Sequence, residues 1–167
     1  MFIIQRSAFI VMLAAALLLT ACGFQLRGQA MLPFHTLYVQ AAPTSPFALQ
    51  LKRQVRAGSA TRITDRPEQA EVVLQILNEI QEKEILSLGA GGRVREFQLR
   101  YRVLYRLTDD KNREHVPATE IILKRDYSFN DDAALSKESE EALLYIDMRS
   151  DAVQQLVRRL QAAKLQT

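Results

Sequence analysis

From Glu96 to Leu107 the chain alternates. Phe97, Leu99, Tyr101, Val103, Tyr105 and Leu107 point one way, and Glu96, Gln98, Arg100, Arg102 and Arg106 point the other. A period of two with one apolar face predicts a strand in an antiparallel sheet covered on a single side. Residues 71–86 predict its partner, with Val72, Leu74, Ile76 and Ile80 on one face. Leu88-Gly89-Ala90-Gly91-Gly92 supplies the turn between them. A further strand over about 118–129 directs Ile121, Leu123, Tyr127 and Phe129 inward and Glu120, Lys124, Asp126 and Ser128 outward, after a polar connection at 109–113. Leu37-Tyr38-Val39 reads as a short strand, and residues 61–64 as a brief edge strand.

Two stretches follow the helical period instead. Ser45-Pro46 has the chemistry of an N-cap followed by proline at the first helical position. Phe47, Leu51 and Val55 then recur every fourth residue until Gly58, predicting a helix over 46–57. The last helix is predicted over 137–163, with Ala142, Tyr145, Ile146, Val153, Leu156, Val157 and Leu160 in one stripe at 100° per residue. Leu143, Leu144 and Met148 form a second apolar patch off that stripe, suited to a protein partner or to ordinary exposure. The order β-α-(β)-β-β-β-α predicts an α+β fold: an antiparallel or mixed four-stranded sheet with two helices on one face.

The N-terminus changes the picture of the compartment. Arg6 precedes an uncharged apolar run of 12 residues, 8–19. A membrane-spanning helix needs about 20, whereas a signal-peptide core has about 7–15. Leu19-Thr20-Ala21-Cys22 follows and resembles the bacterial lipobox, in which the cysteine is alkylated by diacylglycerol, the chain is cut before it and the new amine is acylated. Cys22 is the only cysteine of the chain, so no intrachain disulfide can form. The predicted organisation is a removed signal peptide at 1–21, a lipidated tether at 22–36 and one domain at 37–167. By the same resemblance Gly23, where an aspartate would favour retention in the inner membrane, points to the periplasmic face of the outer membrane.

Composition narrows the function. The formal charge is +3 over 167 residues, a weak excess that gives no reason to expect a nucleic-acid partner. No Gly-x-Ser-x-Gly, no free nucleophilic cysteine and no histidine pair at metal spacing is present, so no catalytic group, metal or cofactor is expected. The glycine run at 89–92 precedes a strand rather than a helix, which suits a hairpin turn and not a phosphate loop. Residues 93–106 hold five arginines and one glutamate, while residues 65–84 hold six acids and two bases. Two readings fit this contrast: cross-strand ion pairs within one hairpin, or a basic sheet face offered to a phosphorylated or acidic partner.

Leu19-Thr20-Ala21-Cys22-Gly23-Phe24-Gln25-Leu26-Arg27-Gly28 resembles the start of mature proteins of the LPS-assembly lipoprotein (LptE) family. The likeness continues through the Gly-rich turn with Glu96-Phe97-Gln98, and returns in Gln155-Leu156-Val157-Arg158-Arg159-Leu160. The resemblance implies an outer-membrane lipoprotein that plugs the LptD β-barrel translocon, assists its assembly and helps deliver lipopolysaccharide to the outer leaflet. It also implies lipopolysaccharide contacts by basic residues at the turn between the two long strands and near the start of the last helix. The second position falls on Lys137. The first falls on Ala90, which is not basic, and the nearby Arg93 and Arg95 take its place as candidates. An auxiliary lipoprotein of an ABC-type phospholipid transport system is the alternative, since it would share the anchor and a small α+β body.

Overall fold

A computed structural model describes residues 30–165. The signal peptide expected at 1–21 and the expected lipidation site Cys22 lie outside the described residues. The element order is β1 (Thr36–Gln40), α1 (Pro46–Gly58), β2 (Arg62–Ile63), β3 (Val72–Leu88), β4 (Val94–Asp109), β5 (Glu114–Ser128) and α2 (Ala134–Gln161). The sheet is mixed, in the order β2-β1-β3-β4-β5. β1 runs parallel to both β2 and β3, whereas β3-β4 and β4-β5 are antiparallel. The sheet therefore has five strands rather than four, because Arg62 and Ile63 pair with Thr36 and Leu37 through the crossover helix α1.

Helix α1 starts as its sequence dictates. The Ser45 hydroxyl accepts a hydrogen bond from the Ala48 amide at 3.0 Å, and Pro46 occupies the first turn. Phe47, Leu51 and Val55 are buried against Leu37, Val39, Leu74 and the second half of α2. That second half supplies Met148, Ala152, Val153, Leu156, Val157 and Leu160. On β4, Leu99, Tyr101, Val103, Tyr105 and Leu107 are all buried beneath the helices, with Phe97 packed partly against them.

Several boundaries move for physical reasons. The expected tether loses its last residues to the body: Phe34 is buried, and the Ala30 amide bonds the Gly58 carbonyl at 2.6 Å. β5 begins at Glu114 because Asp109 closes a tight turn, its carboxylate accepting from the amides of Lys111 and Arg113 at 2.9 and 2.8 Å. α2 begins three residues early, at Ala134, behind a short turn capped by the Asn130 side chain.

The largest departure is in β3. Ile76 pairs with Tyr105, but Asn78 already pairs with Leu104, so Leu77 is an inserted residue. Such a bulge reverses the faces of everything beyond it. Glu79, Gln81 and Lys83 consequently share the helix-side face with Val103, Tyr101 and Leu99, and Ile80 turns outward beside Arg102. The expected grouping of Ile80 with Val72, Leu74 and Ile76 is thereby corrected.

Candidate functional site

The reversed stretch of β3 meets the first half of α2, and polar chemistry joins them. The Lys83 ammonium lies 2.6 Å from Glu141 Oε2, and the Tyr127 hydroxyl donates to the same oxygen at 2.6 Å. The ammonium also stands 4.2 Å from the Phe97 ring centroid, with the rings of Tyr127 and Phe129 within 6 Å. Phe97 stacks on Tyr127 and meets Phe129 edge-on. Partial burial works to raise the Glu141 pKa, but the hydrogen bonds from Lys83 and Tyr127, with the Lys83 charge, hold it below the usual carboxylate range. Further along, Glu79 accepts from the Tyr101 hydroxyl at 2.6 Å and the Ser45 hydroxyl at 2.5 Å. Burial, then the Glu79 hydrogen bond, pushes the Tyr101 phenol far above its ordinary pKa.

This arrangement corrects the helix stripe. Continuing the buried positions of α2 back toward its start leads to Tyr145 and Glu141, not to Ala142 and Ile146, which are exposed. Tyr145 donates to the Glu82 carbonyl at 2.8 Å. Met148, expected off the core, is fully buried, and Leu144 packs partly against it. Leu143 remains exposed at 62%. Sequence reasoning missed the Lys83–Glu141–Tyr127 cluster because period two carried through the bulge puts Lys83 on the wrong face. The visible signal was the same-face set Phe97, Tyr127 and Phe129.

The residues proposed for lipopolysaccharide gather at one end of the sheet. The β3-β4 turn uses Gly91 and Gly92 at φ of +80° and +75°, a region that favours glycine. The Arg95 stem crosses Gly89 so closely that a Cβ there would come within 2.8 Å of it. The Phe129 amide bonds the Arg95 carbonyl at 2.7 Å, bringing the end of β5 and the start of α2 to the same tip. Arg93 and Arg95 are exposed there. Lys137 is different: its ammonium is 2.7 Å from Glu140 Oε2, it donates to Ser128 Oγ at 3.4 Å, and its side chain is 19% exposed.

On the outer sheet face the arginines of β4 from 100 to 106 are matched, while Lys124, opposite Arg100, makes no ion pair among the described residues. Arg100 grips Glu84 with two bonds of 3.0 and 3.1 Å, and Arg102 lies between Glu120 at 2.8 Å and Glu82 at 3.4 Å. Arg106 reaches Gln75 and Glu114. Cross-strand pairing, the first of the two readings, therefore accounts for the arginines of β4 between 100 and 106. Ile80, Arg102 and Ile122 form one row across this face, with Ile122 49% exposed.

The family model for lipopolysaccharide-assembly LptE proteins matches residues 34–160. The LPS-assembly lipoprotein LptE of Pectobacterium atrosepticum is 28% identical over 160 residues, covering 93% of this chain and 86% of that protein. The protein of the same name from Yersinia pestis is 30% identical over 153 residues, covering 89% and 73%. Among solved structures, a lipoprotein B of Nitrosomonas europaea, uncharacterized by its description, shares 42% identity at a TM-score of 0.74, covering 84% of this chain and 91% of that one. The rare lipoprotein B of Shewanella oneidensis, 23% identical with a TM-score of 0.67 over 76% and 94% of the two chains, has the same fold.

Proposed function

We propose, because the chain belongs to the LptE lipopolysaccharide-assembly family, that it works at the periplasmic face of the outer membrane, anchored through an acylated Cys22. There it plugs the LptD β-barrel, assists that barrel's assembly and helps hand lipopolysaccharide to the outer leaflet. The family match favours this over the phospholipid-transport alternative, and the role asks for no catalytic group.

The observation that supports the plug is the one-sided sheet. Both helices cover one face, leaving the other as a broad surface crossed by ion pairs of Arg100, Arg102 and Arg106 with Ile80 and Ile122 between them. Such a face can approach a polar barrel wall without stranding a buried charge, since its arginines bring their own partners. Photocrosslinkers at Ile122 and Leu143 are expected to trap the barrel in cells. Failure of both positions, with the protein present in the outer membrane, would falsify the plug reading.

Lipopolysaccharide carries phosphates, so its site needs cations with charge to spare. Arg93 and Arg95 supply them at the glycine-rich turn, and Lys137 joins by exchanging Glu140 for a phosphate oxygen. Charge reversal at Arg93 and Lys137 together is expected to weaken capture on immobilised lipopolysaccharide in a salt-dependent way while barrel association persists. Undiminished, salt-insensitive capture removes this site and leaves the plug standing. Cys22→Ser is expected to leave an uncleaved precursor; normal processing of that variant rules out the anchor.

A further inference from the structure

Charge is distributed unevenly along this chain. All 19 acidic residues lie between Asp65 and Asp151, together with 13 of the lysines and arginines. Residues 30–64 and 152–165 contain no Asp or Glu at all, yet carry Lys52, Arg53, Arg56, Arg62, Arg158, Arg159 and Lys164. The fold brings these two stretches together. The last turns of α1 and α2 flank a groove of about 380 Å³ whose lining includes Ala30, Leu32, Val55, Val157 and Arg158. None of the seven cations makes an ion pair with a carboxylate among the described residues, although Arg159 donates to the Tyr105 hydroxyl and the Glu120 carbonyl. On β4 the reverse holds, with Arg100, Arg102 and Arg106 each ion-paired.

Helix-dipole compensation accounts for part of this. Arg56, Arg158 and Arg159 sit in last turns, where cations are favoured. It does not account for Lys164, which lies beyond α2, or for the lack of any acid in either stretch. Surface helices ordinarily mix both signs, and a long acid-free surface repels itself unless something anionic covers it.

The path by which the chain joins the body bears on what could cover it. Ala30 lines the groove and is pinned to Gly58. Cys22 is eight residues upstream, within at most about 28 Å of chain. No helix among the described residues is long and apolar enough to cross a membrane. A bilayer holding an anchor at Cys22 would lie within that length of chain from the groove, whose lining includes Arg158 and whose flanking last turn of α1 carries Arg56. A polybasic patch beside a lipid anchor is the combination that adds electrostatic adhesion to hydrophobic anchoring.

We propose that the acid-free end formed by the last turns of α1 and α2 is a membrane-facing surface that binds the phosphates of anionic phospholipid headgroups, setting the body's orientation on the leaflet. The proposal rests on the anchor at Cys22, and its test separates the two. The mature lipidated protein carries an environment-sensitive fluorophore on a cysteine introduced by Ala57→Cys, an exposed position on the groove rim. It is reconstituted without a barrel on vesicles of phosphatidylcholine, or of phosphatidylcholine and phosphatidylglycerol in equal parts. Flotation reads the anchor, and emission reads the patch. Flotation is expected with both vesicles, and a blue shift with the anionic ones alone. The shift should be lost in high salt and in the variant R56E/R158E/K164E, whose melting temperature is checked for an intact fold. Flotation with the same emission on both vesicles overturns the proposal, as does a shift that survives charge reversal. A shift seen only after a purified barrel is added assigns the patch to a protein and also overturns it. Loss of flotation overturns the anchor alone; emission read with excess vesicles then still decides the patch.

Discussion

The two halves of the sheet, on either side of the bulge at Leu77, are built by different means. Before it, Leu74 and Ile76 lie with Leu107 and Tyr105 under α1 and the second half of α2, and the interface is apolar. Beyond it, Glu79, Gln81 and Lys83 face the first half of α2, which contributes no fully buried residue between 134 and 147. The first half of the helix is held instead by Lys83, Glu141, Tyr127 and the Tyr145 hydroxyl. One inserted residue thus divides β3 into a root whose inward side chains are apolar and a tip whose inward side chains, opposite the buried Leu99, Tyr101 and Val103, hold the start of α2 through a few directed contacts. The root scales with area removed from water. The tip depends on geometry and protonation, and it is the end where Arg93, Arg95 and Lys137 gather.

That contrast can be broken most severely at the root. Leu156→Ala removes a fully buried side chain, and a loss of about 2–5 kcal/mol is expected in thermal or denaturant unfolding. Leu143→Ala, at the tip, is expected to stay within about 0.5 kcal/mol of the parent. If the two changes cost the same, the halves are not distinct. A smaller effect belongs to the boundary: Glu79→Ala strands the hydroxyls of Tyr101 and Ser45, for about 1–3 kcal/mol.

At the tip the sharper readout is local. Lys83→Ala should increase amide exchange between residues 134 and 147 while leaving 148–160 protected, because only the first half of α2 loses its partner. Uniform acceleration along α2 would show instead that the helix opens as one unit. Mild acid should imitate that variant. The folded pKa of Glu141 is lowered, so its contribution is present above the ordinary glutamate value of about 4.3 and is lost as pH falls through the folded value. Exchange at the tip should rise over that acid range before the root responds. The smallest effect is expected on the outer face: Arg102→Ala should shift the melting temperature less than any change above, because its ion pairs are open to solvent.

What the sequence made legible follows the same divide. The alternation of β4, the capped start of α1 and the apolar spacing of α2 after Met148 all report burial, and burial leaves a periodic trace. The parallel strand β2 was foreseen only as a brief edge, since two residues carry almost no pattern. The bulge left no trace, because Leu77 is as apolar as its neighbours and period two can be drawn straight through it. Lys83 then counted as outward, and Ile146 rather than Glu141 was placed against the sheet. The ion pairs of β4 were readable as one of two alternatives, and only the register of Arg100 against Glu82 and Arg102 against Ile80 decides between them. For Lys137 the sequence placed the charge correctly near the helix start, but its engagement with Glu140 depends on side-chain geometry.

Among the described residues β5 is the free margin of the sheet, a strand of 15 residues with only β4 beside it. Such margins invite a foreign strand, and chains that must wait for a partner risk polymerising along them. Pro117 deletes a donor from that margin, and the register breaks close by, between Tyr105 and Leu107 on β4. Further on, Lys124-Arg125-Asp126 places consecutive charges on both sides of the strand. Arg125 is drawn toward α2 by Asp151 at 2.7 Å, which ties the margin to the helix. Neither stretch of β5 is left as a plain template, so self-association by strand addition is discouraged while the broad face stays open to a different kind of neighbour.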